Sequence, residues 1–478
     1  MQRLAARAVA FDSGEDAMRT SFDRLRAAAG RDQFPLWPAR RRSLRSLLAL
    51  LHDHESEWCE AVSADFGHRS RHETQLLELF PSIEAVRHAL RHGASWMRDE
   101  RRSTSLWFLP GSSKIVHQPL GVVGIIVPWN YPIYLAAGPL VAALAAGNRA
   151  MLKLSEYTPR TAELFDRLVR RHFADDELIV VTGDAAIAAA FSRLPFDHLL
   201  FTGSTAVGRH VMRAAAENLT PVTLELGGKS PAIIGLDADL DHAVERIVVG
   251  KTFNAGQTCI APDYALVPEG AVQSFVDAAA RVVARLYPDL PTTPDYSAII
   301  DARHFARLSD YLGDAARLGA HVVPLSSHAA DATTRRMPPV AILDVDDRMR
   351  VMQDEIFGPI LPIVPYHSLD EAIRFVAARP RPLALYYFGR SGTDIDRVLR
   401  ETHSGGVTVN DVILHIAQDS LPFGGVGPSG MGHYHGRDGF LALSKAKGVF
   451  QQARINGMAL FNPPFGNRFA RLIRLLLR

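Results

Sequence analysis

The alternation of apolar and polar residues changes character near residue 114. Before this point, apolar residues recur at helical spacing among charged ones, and this pattern predicts helices over most of the first hundred residues. The segment 40–59 is a typical case. Its predicted apolar helix face consists of Leu44, Leu47, Leu48 and Leu51.

After residue 114, short apolar runs rich in β-branched residues alternate with helical segments. The predicted strands are 121–127, 149–154, 177–183 and 198–203. The predicted helices between them are 132–147 and 158–173, the second with Thr158 as N-cap and Pro159 in its first turn. This succession predicts a Rossmann-like parallel sheet, buried on both faces, that binds ligands at the carboxyl ends of its strands.

A second α/β region begins near Gly227. Its strand candidates are 230–235, 264–269 and 361–366. The expected fold class is α/β, with a Rossmann-like cofactor domain, a second α/β catalytic domain and a small bridging oligomerisation segment. The predicted domains are 1–226, with N-terminal helices, the dinucleotide-binding domain and a bridging excursion near 100–118; 227–405, the catalytic domain; and 406–478, the C-terminal return, oligomerisation segment and tail.

Two apolar stretches raise the question of membrane contact. Pro128, Asn130 and Pro132 interrupt the stretch 121–146, which therefore predicts a buried strand, a turn and a buried helix instead of a span. The tail 467–478 alternates basic and apolar residues and is too short as a helix to cross a bilayer. Docking on a partner subunit or disorder is favoured there over binding to a membrane surface.

The composition is that of an ordinary globular protein. Of the 478 residues, 47% are hydrophobic and 22% charged, and the formal net charge of +2 gives no reason to expect a nucleic-acid partner. Two cysteines argue against a disulfide framework and fit a reducing compartment. Arg7 interrupts the apolar part of the N-terminus, so no signal peptide is predicted and the cytoplasm is the expected location. No metal site is expected.

The two cysteines stand in different sequence contexts. Cys59 falls in a helical pattern, where a buried structural thiol is expected. Cys259 follows Gly256, Gln257 and Thr258 instead of core-forming residues, and is a candidate nucleophile exposed to a cleft. Such a thiol needs a lowered pKa, which a helix N-terminus or a positive group would supply, and the local sequence permits a helix start near Cys259. On the local pattern alone, a structural thiol remains the alternative.

Two further polar residues interrupt apolar segments. Glu225 stands in an apolar strand before a Gly-Gly pair, where burial would raise its pKa and suit it to act as a general base. A salt-bridged glutamate at the strand end is the alternative. Asn130 lies between Pro128 and Pro132, which fix the backbone, and a rigidly held amide is a good oxyanion donor. A turn-forming asparagine fits the same pattern.

The strand end at Gly203 is a candidate phosphate site. Ser204 or Thr205 can cap the helix that follows, and N–H groups at a helix start bind phosphate well. Gly203 and Gly208 would permit close approach of a ligand. A tight βα turn without a ligand fits the pattern equally well.

A second strand end carries Lys153 and Glu156. Two such side chains, three residues apart, can bind two ligand hydroxyls, and the glutamate favours an adenosine ribose over its 2′-phosphate. A solvated pair beside a helix cap is the alternative.

Seven motifs occur along the chain in a characteristic order. They are PWNYP at 128–132, KLSE at 153–156, FTGST at 201–205, LELGGKSP at 224–231, GQTC at 256–259, EIFGP at 355–359 and LPFGGVGPSG at 421–430. Together they resemble the aldehyde dehydrogenase superfamily over nearly the whole chain, in particular its class 3-like branch. The segments 256–268, 407–415 and 429–436 are most similar to bacterial coniferyl-aldehyde dehydrogenases.

The resemblance implies a role for each matching residue. Cys259 would be the nucleophile, Glu225 the general base and Asn130 the oxyanion-hole side chain. The implied cofactor-binding residues are Lys153, Glu156, Gly203, Ser204, Gly208, Leu226, Glu355 and Phe357. The implied cofactor is NAD, with NADP as an alternative, and the implied assembly is a homodimer with a bridging C-terminal segment. Leu154 stands where family members commonly have proline, which puts the fine shape of the cofactor edge in doubt.

The expected reaction is oxidation of an aldehyde to a carboxylic acid through a thiohemiacetal and a thioester on Cys259. Trp129, Tyr131 and Phe423 suggest an apolar or aromatic substrate. The resemblance to coniferyl-aldehyde dehydrogenases implies a substrate of the coniferyl-aldehyde type. A coenzyme A-acylating dehydrogenase is an alternative, although such relatives generally lack a glutamate at the position of Glu225. A non-catalytic protein that keeps the fold is a second hypothesis. A cysteine hydrolase is a weaker third, since no signature picks out the histidine that it would need.

Overall fold

A computed structural model describes residues 2–477, with side chains from residue 14 onwards. The helices are α1 Gln2–Arg31, α2 Trp37–His52, α3 Glu55–Phe66, α4 Arg71–Thr74, α5 Phe80–Trp96, α6 Tyr134–Ala146, α7 Pro159–His172, α8 Ala185–Ser192, α9 Thr205–Ala216, α10 Leu240–Thr252, α11 Val272–Leu286, α12 Ala302–Arg317, α13 Arg350–Gln353, α14 Leu369–Ala377, α15 Gly392–Glu401, α16 Gly436–Ala442 and α17 Asn467–Leu476.

The strands form three sheets. They are β1 Glu100–Arg102, β2 Ser112–Pro119, β3 Val122–Ile126, β4 Arg149–Lys153, β5 Leu178–Val181, β6 His198–Thr202, β7 Val222–Glu225, β8 Pro231–Ile234, β9 Tyr264–Pro268, β10 His321–Pro324, β11 Val340–Leu343, β12 Ile360–Tyr366, β13 Ala384–Phe388, β14 Gly406–Val409, β15 Gly430–Met431 and β16 Ser444–Gln451.

The first sheet has the order β15-β7-β6-β3-β4-β5, and its strands are parallel except for β15. Every residue of β3 and β6 is buried, because helices cover both faces of the sheet. The carboxyl ends of neighbouring strands are level, since Ile126 pairs with Lys153 and Thr202 pairs with Glu225. One edge of the sheet therefore collects the residues that follow these strands.

The second sheet has the order β10-β11-β12-β9-β8-β13-β14 and is parallel except for β10. The third is an antiparallel sheet of β1, β2 and β16, in which residues near 100–119 pair with the C-terminal return. The predicted α/β class with a Rossmann-like sheet is confirmed. The domain boundaries at 226 and 405 stay predictions.

Two local expectations need correction. The helical segment 40–59 is two helices, because α2 ends at His52 and α3 begins at Glu55. Thr158 does occupy the N-cap of α7, but its side chain makes no capping hydrogen bond. Asp65 of α3 accepts the N–H groups of Arg160 and Thr161, both at 2.9 Å, so the cap comes from a distant part of the sequence.

The apolar stretch 121–146 forms β3, a turn and the fully buried α6, as predicted. Within residues 2–477, no helix is long and apolar enough to cross a membrane. The tail forms α17, none of whose residues is buried. Whether it docks on a partner subunit stays a prediction.

Candidate active site

The ends of β3, β6 and β7 open into one cleft of about 740 Å³. The second sheet closes it from the opposite side with helix α12 and the loop after α13. The lining residues are Pro128, Trp129, Asn130, Leu135, Thr202, Gly203, Ser204, Glu225, Leu226, Gly227, Cys259, His304, Arg307, Glu355 and Phe357. The three residues predicted to carry chemistry, Cys259, Glu225 and Asn130, are thus brought together.

A buried ion pair holds the turn that carries Asn130. The guanidinium of Arg69 lies 3.1 Å from the carboxylate of Glu78, both side chains being fully buried. Arg69 also donates to the backbone carbonyl of Asn130 at 2.8 Å, and its guanidinium lies over the Tyr131 ring. Glu78 accepts the N–H of Ile133 at 2.7 Å. These contacts fix the turn through its main chain, and the sequence pattern around Asn130 gave no sign of them.

The side-chain amide of Asn130 uses one of its N–H donors within the protein. Its Nδ2 donates to the carbonyl of Gln257 at 3.2 Å, which ties the turn to the loop before Cys259. An amide NH₂ group has two N–H donors. The second donor is therefore available to a ligand in the cleft that this residue lines.

The loop before Cys259 is a run of left-handed backbone. Asn254, Ala255 and Gly256 have φ angles of 50°, 50° and 75°. A β-carbon on Gly256 would lie 2.4 Å from the carbonyl oxygen of Gly358, so only glycine fits this approach. Gln257 fixes the loop further by donating to the carbonyls of Asn254 and Ala298 at 2.9 and 3.0 Å.

The pKa of the Cys259 thiol is raised, whereas a lowered pKa was expected. Cys259 lies in a turn and no helix begins there. Burial raises the pKa of its thiol, and the nearby carboxyls of Glu355 and Glu225 raise it further. The expected lowering by a helix N-terminus is therefore wrong, because the loop geometry places the residue after a short turn of helix that has already ended.

Cys59 provides an internal comparison. It is buried in α3, where burial raises the pKa of its thiol to about 11. Its sulfur contacts the carbonyl of Arg71 at 3.8 Å and packs in the main core, as predicted. Cys259, in contrast, is partly exposed and lines the cleft.

Glu225 is buried at the end of β7, in register with Thr202 and Gly430. Among the described residues, neither of its carboxylate oxygens has a hydrogen-bond partner. Burial raises its pKa well above the ordinary range for a glutamate. Within the part of the chain that the structure describes, Glu225 makes no salt bridge, so the alternative of a salt-bridged glutamate at the strand end does not apply.

Helix α9 points its first turn at the cleft. Ser204 caps it by accepting the N–H of Val207 at 3.4 Å, as predicted. Packing within the protein requires glycine at positions 203 and 208, and whether Gly203 and Gly208 also permit close approach of a ligand stays a prediction. β-Carbons there would lie 2.5 Å from the ring of Phe201 and 2.7 Å from the side chain of Leu226. The two glycines allow the helix to pack against the sheet.

Lys153 and Glu156 lie at the end of β4, beside the cleft and not in its lining. Lys153 Nζ is 3.8 Å from the carboxylate of Glu156 and donates to the carbonyl of Leu154 at 2.7 Å. Burial lowers the pKa of Lys153. The amide of Leu154 donates to the carbonyl of Val181 at 3.2 Å, a bond that proline cannot make. The departure at Leu154 thus extends the ladder between β4 and β5.

Glu355 and Phe357 face the cleft from the second sheet. Burial and the nearby Asp263 raise the pKa of Glu355 to about 8, and its Oε1 has no partner within the described chain. Phe357 has a φ of 50° and its ring lies 5.4 Å from that of Trp129. Arg307, which the sequence reasoning missed, donates to the carbonyl of Ile356 at 2.9 Å and so fixes this segment.

A second cavity, of about 1050 Å³, meets Cys259 from the other side. Nearly all of its surface is apolar. The lining residues are Leu76, Leu77, Phe80, Pro81, Tyr131, Tyr134, Leu135, Arg246, Phe253, Thr258, Cys259, Ile260, Val412, Ile413, Leu414, Ile416 and Ala417. We call this cavity the apolar tunnel and the first one the polar cleft.

Of the three residues predicted to shape a substrate pocket, only Tyr131 lines the apolar tunnel. Trp129 lines the polar cleft instead. Phe423 is buried and packs on His435 and Tyr434. Most of the tunnel residues lie in segments that carried no recognisable motif.

A partly exposed cysteine and a buried glutamate without a hydrogen-bond partner in the described chain line one cleft at the ends of parallel strands, an arrangement suited to covalent thiol chemistry with a general base. The family model "Aldehyde dehydrogenase family" matches residues 12–449. A "Probable coniferyl aldehyde dehydrogenase" of Pseudomonas aeruginosa is 53% identical over 95% of this chain and 94% of its own length. The chain belongs to the aldehyde dehydrogenase family, which confirms the resemblance of its motifs.

Further relatives agree with this assignment. A "Coniferyl aldehyde dehydrogenase" of Pseudomonas sp. is 46% identical, with 97% of each chain covered. An "Aldehyde dehydrogenase, dimeric NADP-preferring" of Canis lupus familiaris is 38% identical over 87% of this chain and 90% of its own. A substrate-bound Staphylococcus aureus AldH structure superposes with a TM-score of 0.90 and 36% sequence identity, covering 96% of this chain and 99% of the other. A Mycobacterium tuberculosis aldehyde dehydrogenase complexed with NAD+ superposes with a TM-score of 0.80 and 28% sequence identity, covering 90% of this chain and 89% of the other.

Proposed function

We propose that the enzyme oxidises apolar, aromatic aldehydes of the coniferyl-aldehyde type to carboxylic acids with NAD or NADP. One observation carries the proposal: Cys259 is part of the wall of both the polar cleft and the apolar tunnel. A thiol in this position can react with a carbonyl that enters through the tunnel while a cofactor occupies the cleft. The coniferyl-type substrate also rests on the relatives from the two Pseudomonas strains.

The polar cleft fits a nicotinamide dinucleotide. Glu355 and Thr202 each have a buried oxygen without a partner in the described chain, and ribose hydroxyls or the carboxamide would satisfy them. The first N–H groups of α9, after Ser204, suit a pyrophosphate. Leu226 and Phe357 supply apolar contacts, and Lys153 and Glu156 would hold the adenosine ribose at the next strand end. When bound, the oxidised nicotinamide supplies a hydride acceptor and a positive charge.

In the first half of the reaction, Cys259 acts as the nucleophile. Its thiol releases its proton to water in the polar cleft that it lines, and the sulfur bonds to the aldehyde carbon, which turns the carbonyl oxygen into an alkoxide. The free N–H of Asn130 and the backbone N–H of Cys259 stabilise that charge. Loss of hydride from the same carbon leaves a thioester on Cys259.

In the second half, Glu225 acts as the general base. With no partner for its oxygens, the carboxylate is free to accept a proton from a water molecule. The hydroxide oxygen bonds to the thioester carbon, the C–S bond breaks, and the acid leaves as the thiol is restored. The presence of Glu225 favours water over coenzyme A as the acyl acceptor.

We further propose that the enzyme is a cytoplasmic homodimer. The dimeric relative from the dog supports the assembly. An exposed apolar cluster beside the three-stranded sheet suits a subunit interface. The cluster includes Leu106, Trp107, Phe108 and Phe450, with the two phenylalanine rings 6.0 Å apart.

A substrate panel tests the proposed function. Aromatic and aliphatic aldehydes are supplied with NAD or NADP, and cofactor reduction and acid formation are both measured, with and without coenzyme A. The expected result is reduction of one cofactor per acid formed, fastest with aromatic propenals. Formation of a coenzyme A thioester in place of the acid would contradict the hydrolytic step.

A further inference from the structure

The apolar tunnel contains one charged residue among its described lining, Arg246 of α10. The hydroxyl groups of the tunnel are already paired with protein atoms. The Tyr131 and Thr258 hydroxyls lie 2.7 Å apart, and Tyr134 donates to the carbonyl of Ile416 at 3.1 Å. A substrate in the tunnel therefore finds only one strong hydrogen-bond donor that the fold has not already used.

The guanidinium of Arg246 is fixed by one of its nitrogens. Its Nε donates to Asp411 at 2.7 Å, and the same carboxylate oxygen accepts the N–H of Val412. Among the side chains described from residue 14 to 477 and the backbone that goes with them, the two terminal nitrogens of Arg246 have no hydrogen-bond partner. An anchored guanidinium with two open NH₂ groups is a directional donor to an oxygen acceptor.

Arg246 is more exposed than the residues beside Cys259 and less exposed than those at the opening of the tunnel. Near Cys259, Tyr131, Thr258 and Ile260 are buried, whereas Leu76 and Phe80 are each 55% exposed at the opening. The Arg246 side chain is 29% exposed and lies between these limits. Because Cys259 and Arg246 line the same cavity, an aldehyde bound with its carbonyl at Cys259 has its apolar body in the cavity that Arg246 also lines.

We propose that Arg246 is a specificity-determining residue that binds an oxygen at the far end of an aldehyde with an apolar body, such as a phenolic or methoxy oxygen on an aryl propenal. The proposal rests on the proposed function and goes further, since it names the group that the tunnel selects. Asp411 balances the charge of Arg246, so the site suits a neutral acceptor. Apolar burial alone would not distinguish a hydroxylated ring from a plain one.

The test compares 4-hydroxycinnamaldehyde with cinnamaldehyde, using kcat/KM for each. The parent enzyme is expected to favour the hydroxylated aldehyde. In Arg246→Met the ratio of the two kcat/KM values falls about tenfold, the loss expected for one partly solvated hydrogen bond to a charged group. Arg246→Ala gives the same fall, so either folded variant suffices.

The matched control is Arg285→Met. Arg285 pairs with Glu245, the neighbour of Arg246, at 3.0 Å, but does not line the tunnel. This variant should leave the ratio unchanged. A ratio unchanged in the Arg246 variants, or an equal loss for both aldehydes, would overturn the proposal and assign Arg246 a structural role. A parent enzyme that oxidises both aldehydes equally well also overturns it, whereas one that oxidises neither overturns the proposed function itself.

Discussion

The polar cleft and the apolar tunnel meet at Cys259 but are built by different means. The cleft is formed by residues at the ends of adjacent parallel strands, and it keeps buried polar groups unpaired, notably the oxygens of Glu225 and Glu355. The tunnel is formed by helices and loops, and its hydroxyl groups are already paired. An unpaired buried group is costly unless a ligand satisfies it, so the cleft is shaped for specific hydrogen bonds and the tunnel for apolar burial.

The largest expected effect comes from Cys259, the nucleophile, which lines both cavities. Cys259→Ala should lower kcat/KM by about 10⁴-fold or more, because no covalent intermediate can form. Steady-state cofactor reduction measures the effect. The matched control, Cys59→Ala, removes a buried thiol outside both cavities and should keep the parent rate with a loss of about 1 kcal/mol in unfolding free energy. Equal losses of activity in the two variants would refute the distinction between the cysteines.

The next effect is confined to the polar cleft. Glu225→Gln should slow steady-state turnover by about 10²- to 10⁴-fold, since it removes the base that activates water. The first half of the reaction does not need that base, so rapid mixing should show a burst close to one reduced cofactor per active site. A variant with slow turnover and no burst would assign Glu225 to the first half instead.

The raised pKa of Glu225 is expected to make turnover depend on pH. Burial raises the pKa of Glu225, and a general base works only when deprotonated. Turnover of the parent should therefore fall as the pH drops through this raised pKa, at a higher pH than an ordinary glutamate would give. Glu225→Gln should lose this acid limb, because glutamine does not titrate.

Asn130 lines the polar cleft, and its removal has a smaller expected effect. Asn130→Ala should lower kcat by about 10²- to 10³-fold through loss of one oxyanion donor. The turn should survive, because Arg69 holds it through the main-chain carbonyl of Asn130. A thermal melt checks the fold. If only KM changed, Asn130 would contribute to binding and not to the transition state.

The difference between the cavities also explains what the sequence could predict. Gly203, Glu225 and Lys153 each end a strand, so short contiguous motifs identify the cleft and the parallel sheet brings them together. The tunnel is assembled from segments near 76–81, 131–135, 246–260 and 412–417. The motifs at 128–132, 256–259 and 407–415 touch parts of these segments but do not show that the segments form one cavity. Trp129 and Phe423 were therefore expected to shape a substrate pocket, although neither lines the tunnel. The support of Asn130 by Arg69 and Glu78 escaped detection for the same reason.

The pKa of Cys259 was predicted in the wrong direction because it depends on burial and on two carboxyls. Glu225 reaches the thiol from the first sheet and Glu355 from the second. Neither contact follows from the residues around Cys259. Helix starts can be recognised from local sequence, but charges that converge through the tertiary fold cannot.

The smallest expected effect lies at the outer edge of the polar cleft. Glu156 is 39% exposed and lies 3.8 Å from Lys153, so its charge is partly screened by solvent. Glu156→Gln removes the negative charge that would repel a 2′-phosphate and leaves the lysine to attract it. The ratio of kcat/KM for NADP to that for NAD should rise about tenfold. The control Glu163→Gln changes an exposed glutamate of α7 that lies outside the cleft. If both variants keep the parent ratio, the adenosine ribose does not bind at the end of β4, and the cleft continues in another direction.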